Sequence, residues 1–314
     1  MVTIPEQATA TPKEDVAGPP PDSKGRHGAL IRKSYPYWFH LPAGLIFLTF
    51  FLIPTVASFY FAFTRWTLFE SHFIGLANFK AFLTQPRLYK SITNTLIYAV
   101  LTSGTKVVLG LLLAILLTAP IIARGYLRAV IFFPVLVSTV GVGLTFQVLM
   151  NPSTGLINNA LAKVGINGPN WLVDPHLALY SVALIDIWKG IGLATLIYIA
   201  GIVAIPQEYF EAARVDGAGR WAIFRRIILP LSWPATSTVI LLSLIGGLRS
   251  FDLIWTTTGG GPGFSSDVMA SVIYKQYQAG FYGLSTAGNV ILFLGVTAII
   301  FPLLRLLNRR EVTL

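Results

Sequence analysis

Cysteine is absent from the 314 residues, which removes disulfide scaffolds, thiol chemistry and thiolate metal sites. Charge is scarce as well. Asp, Glu, Lys and Arg make up 11% of the chain, where a globular protein carries roughly 25%. Histidine is too sparse for a metal centre: His27, His40, His72 and His176 lie far apart in sequence, and no metal site is expected. Collagen is excluded by the lack of a Gly-X-Y period, and disorder by the high apolar content. What remains is apolar. The hydrophobic set reaches 54% before 28 glycines are added, and the mean hydropathy is +0.68. Length alone would suit about two soluble domains, but most of this surface must face something other than water. A polytopic membrane protein is expected.

A net charge of +10 raises nucleic-acid binding, yet the 23 basic residues form no patch interleaved with aromatics. They sit at the edges of apolar runs, where membrane topology accounts for them. A spanning helix needs roughly 20 mostly apolar residues, and six stretches qualify: 41–63, 94–117, 129–150, 177–203, 235–255 and 287–307. The second and fourth are interrupted by charge, and the fifth carries Arg249 and Asp252 near its end. Basic residues set the orientation. Fourteen lie in the N-terminal tail, the second and fourth loops and the C-terminus, against six in the opposite loops, so both termini are expected to be cytoplasmic. Residues 1–34, rich in Pro, Thr, Glu and Gly, read as a disordered tail. Residues 35–93 read as the first transmembrane helix with an extracytoplasmic loop, and 94–312 as a five-helix core. The first apolar run starts too late and runs too long for a signal peptide, and no small-residue cleavage site follows it. The expected fold is an all-α membrane protein of six transmembrane helices.

One stretch is out of character. Residues 205–234 read IPQEYFEAARVDGAGRWAIFRRIILPLSWP, polar and charged between two apolar runs. Residues 208–215 are helix formers throughout, and Asp216-Gly217 then supplies a stop, because glycine tolerates the left-handed conformation that ends a helix. A second short helix is expected from about 220 to 228, until Pro230 breaks it. There Trp221, Phe224, Ile227 and Ile228 share one apolar face. Two short helices with a glycine corner suit a rigid projection for another protein. An interfacial hairpin, with arginines on headgroups and aromatics at the boundary, fits the composition equally.

Glu211-Ala212-Ala213, then Asp216-Gly217-Ala218, Phe224 and Ile228-Leu229-Pro230 resemble the EAA loop of binding-protein-dependent ABC importer permeases, a long motif of fixed spacing. Gly75-Leu76-Ala77-Asn78-Phe79, Asn94-Thr95-Leu96, and Phe251-Asp252 leading into Thr258-Gly259-Gly260-Gly261-Pro262 resemble the carbohydrate-uptake branch, the maltose-transporter type. The Gly-Gly-Gly-Pro segment looks like its MalF kind. The resemblance covers roughly residues 35–312. The large periplasmic insertion of the enterobacterial maltose permease is absent, so only the six-helix core carries over.

This resemblance implies a multi-pass permease subunit of the bacterial cytoplasmic (inner) membrane, with an EAA coupling-helix loop at 205–234 and no catalytic residue. No cofactor is expected on this chain; ATP and Mg belong to a partner ATPase. Consistent with that, no G-x-x-x-x-G-K-[ST] occurs, and the nearest string, Gly104-Thr105-Lys106, lacks the upstream glycine and the Ser/Thr. The implied partners are a second, MalG-like permease, two ATPase subunits, an extracytoplasmic solute-binding protein, membrane lipid and a carbohydrate, with no nucleic acid. The implied ATPase-coupling residues are Glu211, Ala212, Ala213, Asp216, Gly217 and Phe224. Glu211 accepts hydrogen bonds or pairs with a partner arginine, Gly217 permits the corner, and Phe224 fills a pocket. The bland alternative has Glu211 capping its own helix.

A charge at mid-bilayer costs ~2.5–3.5 kcal/mol on insertion scales, so each embedded one marks a pathway or a pair. Asp186 and Lys189 stand at i, i+3 on the fourth span, spaced to neutralise each other, and Gly190 adds a gap on the same face. The resemblance implies that this stretch lines the translocation path, where charged groups make strong hydrogen bonds to sugar hydroxyls. A purely structural pair is the alternative. On the fifth span Ser243, Gly246, Gly247 and Ser250 form a small polar stripe; the resemblance implies substrate contacts, while close helix packing explains small residues too. Thr139, in a third span kinked after Pro134, is a further lining candidate by resemblance. Lys106 faces either a partner helix or a watery vestibule. A rival class, an ion-coupled secondary transporter, would need intramembrane acid–base relays without a docking loop. Within the ABC class a polyol, glycerol phosphate or other non-sugar solute stays open.

Overall fold

The computed structural model describes residues 37–67 and 69–309; the expected tail of residues 1–34 lies outside the described residues. The chain divides into a unit ending at Thr55 and a unit from Val56 onward. The described part of the first unit belongs to the opening of helix α1 (Trp38–Ala62). The second unit continues with a hairpin of β1 (Thr64–Trp66) and β2 (Ser71–Phe73), antiparallel with Arg65 opposite His72. Helices α2 (Ala77–Thr84), α3 (Pro86–Thr118), α4 (Arg124–Leu136), α5 (Thr139–Leu149) and α6 (Leu156–Lys163) follow. Then come α7 (Ala178–Val203), α8 (Gln207–Val215), α9 (Arg220–Leu231) and α10 (Trp233–Leu248). The described chain closes with α11 (Asp252–Thr257), α12 (Met269–Gln278) and α13 (Tyr282–Asn308).

Four helices, α1, α3, α7 and α13, are each long and apolar enough to cross a bilayer. The pairs α4–α5 and α9–α10 are bent by 98° and 65°, and counting each pair as one span gives six. The third span is therefore not a simple kinked helix. Val137 and Ser138 both take extended ψ values, 139° and 132°, and the chain turns there rather than at Pro134. At 1.5 Å rise per residue, neither half reaches the ~30 Å of a hydrocarbon core alone. The fifth span also ends early. Its helix stops at Leu248, and Asp252 lies in the first turn of the separate α11.

Pro230 does not break its helix, contrary to expectation: α9 runs on to Leu231 and the bend follows at Ser232. The reason is local. Residues Phe224–Ile228 form a π turn, which shifts the carbonyl four residues before Pro230 out of the ring's way. The same device precedes Pro54, behind the π turn Leu48–Leu52.

Helix α3 packs along α7 and α10, α4 lies on α7, α5 on α11 and α12 on α13. Burial concentrates in two clusters. One gathers Tyr98, Val182, Ile185 and Ile254, and the other Leu111, Ala114, Tyr198, Ile199 and Val239. Between them on α3 stands Lys106 and on α7 the stretch from Asp186 to Gly190. The apolar core is interrupted where the two helices carry charge.

Candidate functional site

The motif asparagines turn out to be clasps. Asn78, buried, donates to the carbonyls of Ala62 and Thr64, both at 2.9 Å, tying the end of α1 to the hairpin. Asn94 donates to the carbonyls of Ser265 and Asp267 at 2.9 and 2.8 Å, and the Thr95 hydroxyl accepts the Met269 N–H. The two separate motifs, Asn94-Thr95 and the glycine-rich segment from Thr258, thus hold one another. Buried amides must be paired, and here they are paired to a long-range loop.

At the interrupted core, Lys106 Nζ donates to Asp186 Oδ2 at 2.8 Å. This replaces the expected Asp186–Lys189 pair: Lys189 is half-buried and forms no ion pair among the described residues. Gly190 explains the choice. A Cβ there would lie 2.7 Å from Lys106 Cε, so the missing side chain is the slot through which Lys106 reaches across. Lys106 thus reaches a neighbouring helix of its own chain and borders a cavity.

That cavity measures about 170 Å³ and is bounded by Lys106, Asp186, Gly190, Ser243 and Gly246, with Leu193, Val239 and Leu242 among its apolar walls. Nothing stands within 4 Å of where a Gly246 Cβ would be, whereas a Gly247 Cβ would meet Ala99 Cα at 2.7 Å. The small-residue stripe therefore splits: Ser243 and Gly246 open onto the cavity, and Gly247 lets α10 close on α3. Ser250 is half-buried beyond the end of α10. Near it and near Asp186 lies the wholly buried Tyr98, whose hydroxyl completes no hydrogen bond. Thr139, half-buried at the start of α5, is not among the residues bounding the cavity. Tyr98 carried no sequence signal, because an inward Tyr on an apolar helix looks like core.

The loop after α7 has the opposite character. Not one residue of α8 is buried. Glu211, Ala212 and Asp216 are exposed and Ala213 is half-buried. The Glu211 side chain makes no hydrogen bond or ion pair among the described residues and caps nothing. Gly217 turns the chain at φ +74°, the left-handed conformation expected of it. Phe224 packs partly against the Leu111–Tyr198 cluster of its own chain. Val215, 88% exposed, and Trp221, 70% exposed, are the most exposed large apolar groups of the loop, with Tyr209 also exposed.

Comparison with known proteins converges on one family. The family model described as "Binding-protein-dependent transport system inner membrane component" matches residues 106–312. The chain is 33% identical over 259 residues to the trehalose/maltose transport system permease protein MalF of Thermococcus litoralis, covering 82% of this chain and 88% of that one. It is 34% identical over 250 residues to the arabinooligosaccharides transport system permease protein AraP of Bacillus subtilis, covering 78% and 79%. In architecture it is similar to a chain of a bacterial ABC transporter involved in import of the acidic polysaccharide alginate. That match has a TM-score of 0.77 at 24% identity, over 91% of this chain and 99% of the other. A multi-pass chain with these matches and this fold belongs to the family of binding-protein-dependent transport system inner membrane components.

Proposed function

We propose that this chain is the permease subunit of an ATP-driven importer that moves a carbohydrate handed over by an extracytoplasmic binding protein. The observation that carries the reading is α8, a helix with no buried residue held between two spans. A helix of nine residues is marginal in isolation, so one that buries no residue of its own calls for a docking partner. Glu211, Ala212, Ala213, Asp216 and Gly217 form its docking face, with Trp221 beside them, and the partner is one of two separate ATPase subunits carrying ATP and Mg. A second, MalG-like permease completes the pore. Both termini and α8 are cytoplasmic in this reading, supported by the asymmetry of basic residues. The five-helix permease core of residues 94–312 contains the loop 205–234.

The cavity at Lys106, Asp186, Ser243 and Gly246 is part of the solute path, joined by Lys189, Gly190 and Ser250, with Thr139 further along. Charged and hydroxyl groups in an apolar bundle suit a polyhydroxylated solute. The relatives named for trehalose, maltose and arabinooligosaccharides support a sugar. The test is reconstitution with the partner subunits. Glu211→Lys or Gly217→Pro is expected to leave the permease inserted while ATPase association and uptake fall together, by tenfold or more for loss of a docking anchor of about 1.4 kcal/mol. Normal ATP-driven uptake by both variants would remove the coupling role from this loop.

A further inference from the structure

The polar cavity is not the only concave surface a sugar would recognise. Beyond the end of α10, Phe251 and Trp255 stack with ring centroids 5.6 Å apart and planes 19° from parallel. Tyr274 of α12 meets both edge-on, at 5.3 and 4.9 Å. Each ring is held by the other two, so their geometry is fixed before anything binds. Phe251, Tyr274 and Tyr277 line an open cavity of about 290 Å³, with Asn289 of α13 also on its lining. That is the small end of ligand pockets, which run from roughly 300 to 1,000 Å³.

Asn289 is the second observation. It is exposed on a helix whose apolar window has a mean hydropathy of 2.5, and its amide makes no hydrogen bond among the described residues. The neighbouring Ser285 hydroxyl is already committed to the Ile273 carbonyl. The cavity thus offers aromatic walls and one free amide able to donate and accept at once. An acyl chain has no use for that amide. A sugar ring lays its C–H face on an aromatic plane and turns hydroxyls outward at its edge, where an amide can meet them.

We propose that Phe251, Tyr274, Tyr277 and Asn289 form a ring-stacking subsite for a sugar, distinct from the Lys106–Asp186 cavity and preceding it on the same route. This rests on the carbohydrate-import reading above. Continuity supports the order. Phe251 directly follows Ser250, which lies near Tyr98 and, through it, near Asp186. Sugars with no pyranose or furanose ring, such as linear polyols, gain nothing from the aromatic walls, so the subsite selects cyclic carbohydrates.

The natural lack of cysteine makes the test direct. Ala270 borders the cavity without belonging to the recognition set, so Ala270→Cys is placed in the full complex with otherwise Cys-free partners. Uptake by the unmodified complex is first measured with trehalose, maltose, arabinotriose and sorbitol. If ATP is hydrolysed and none of the cyclic sugars enters, the import reading itself fails, and the subsite with it. If one enters, that sugar is expected to slow maleimide labelling of Ala270→Cys roughly three- to tenfold, the range of one modest hydrogen bond or aromatic contact. Sorbitol should not. Asn289→Ala or Tyr274→Ala should abolish the protection. Equal labelling with and without the carried sugar, or protection that survives both substitutions, overturns the subsite while leaving import intact. A cysteine reactive in the isolated chain but silent in the complex assigns the surface to the partner permease and also overturns it. Should Ala270→Cys fail to assemble, the near-isosteric Ser285→Cys, on the same cavity and outside the recognition set, gives the same readout.

Discussion

Two ion pairs in this molecule, one on a fully buried carboxylate and one on a part-buried carboxylate, are built differently. Asp267, 1% exposed, takes both carboxylate oxygens to Lys275 at 2.9 and 2.7 Å and accepts the Ser271 hydroxyl at 2.8 Å. Its own backbone is gripped by Asn94, and Lys275 also lies 5.2 Å from the Phe264 ring. Asp186 makes one ion pair, to Lys106, stays 24% exposed along its side chain, and borders a cavity with the buried Tyr98 hydroxyl nearby. The first pair has three hydrogen bonds on its carboxylate and acts as a clasp. The second keeps lone pairs free and borders a cavity. Burial of charge alone does not mark function; spare hydrogen-bonding capacity beside a cavity does.

The largest effect should therefore fall on the clasp. Lys275→Met leaves the Asp267 carboxylate buried without its cation, a change that costs ~3–5 kcal/mol when a buried pair is broken from one side. The apparent unfolding midpoint of the detergent-solubilised protein is expected to drop sharply, and Asp267→Asn added on top should recover much of the loss. If the double variant is as unstable as Lys275→Met alone, the clasp depends on hydrogen bonds rather than on charge neutralisation.

What the sequence disclosed tracks the range of the interaction. The first, second, fourth and sixth apolar runs, the α8 helix and the turn at Gly217 depend on residues within a few positions of one another, and each stands close to where local pattern puts it. The partner of Asp186 does not. Lys106 is 80 positions away, and periodicity favours a nearby cation on the same helix. The same holds for Asn94, whose partners lie 171 and 173 positions on, and for the turn at Val137–Ser138, which no glycine announces. Pro230 failed as a breaker because a π turn, invisible in residue type, relieves its clash. Within the site, charged and small residues were legible, whereas Tyr98 and the Phe251–Tyr274 walls were not, since aromatics serve core, interface and binding alike.

A middle-sized effect is expected at the open pair. Gly190→Ala puts a methyl 2.7 Å from Lys106 Cε, and the flexible lysine yields rather than the helix. The loss is then its hydrogen bond to Asp186, of order 1–2 kcal/mol and at the lower end because the carboxylate is partly solvated. In a Lys106→Ala background the same Gly190→Ala change should be almost silent, which a double-mutant cycle on unfolding midpoints measures directly. Equal costs in both backgrounds would mean that the glycine serves helix packing instead of the slot.

The smallest effect sharpens the comparison most. Lys189 sits three residues from Asp186, yet the carboxylate bonds to Lys106. Lys189→Met should leave stability within ~0.5 kcal/mol, as for a residue outside any paired network, while Lys106→Met strands Asp186 and lowers the unfolding midpoint. The two lysines carry the same charge, so any electrostatic account resting on proximity along the helix predicts equal losses. If uptake changes in Lys189→Met without a change in midpoint, the side chain meets the solute rather than the fold. If instead Lys189→Met destabilises as much as Lys106→Met, the two cations share Asp186, its spare capacity disappears, and the distinction between clasp and open pair goes with it.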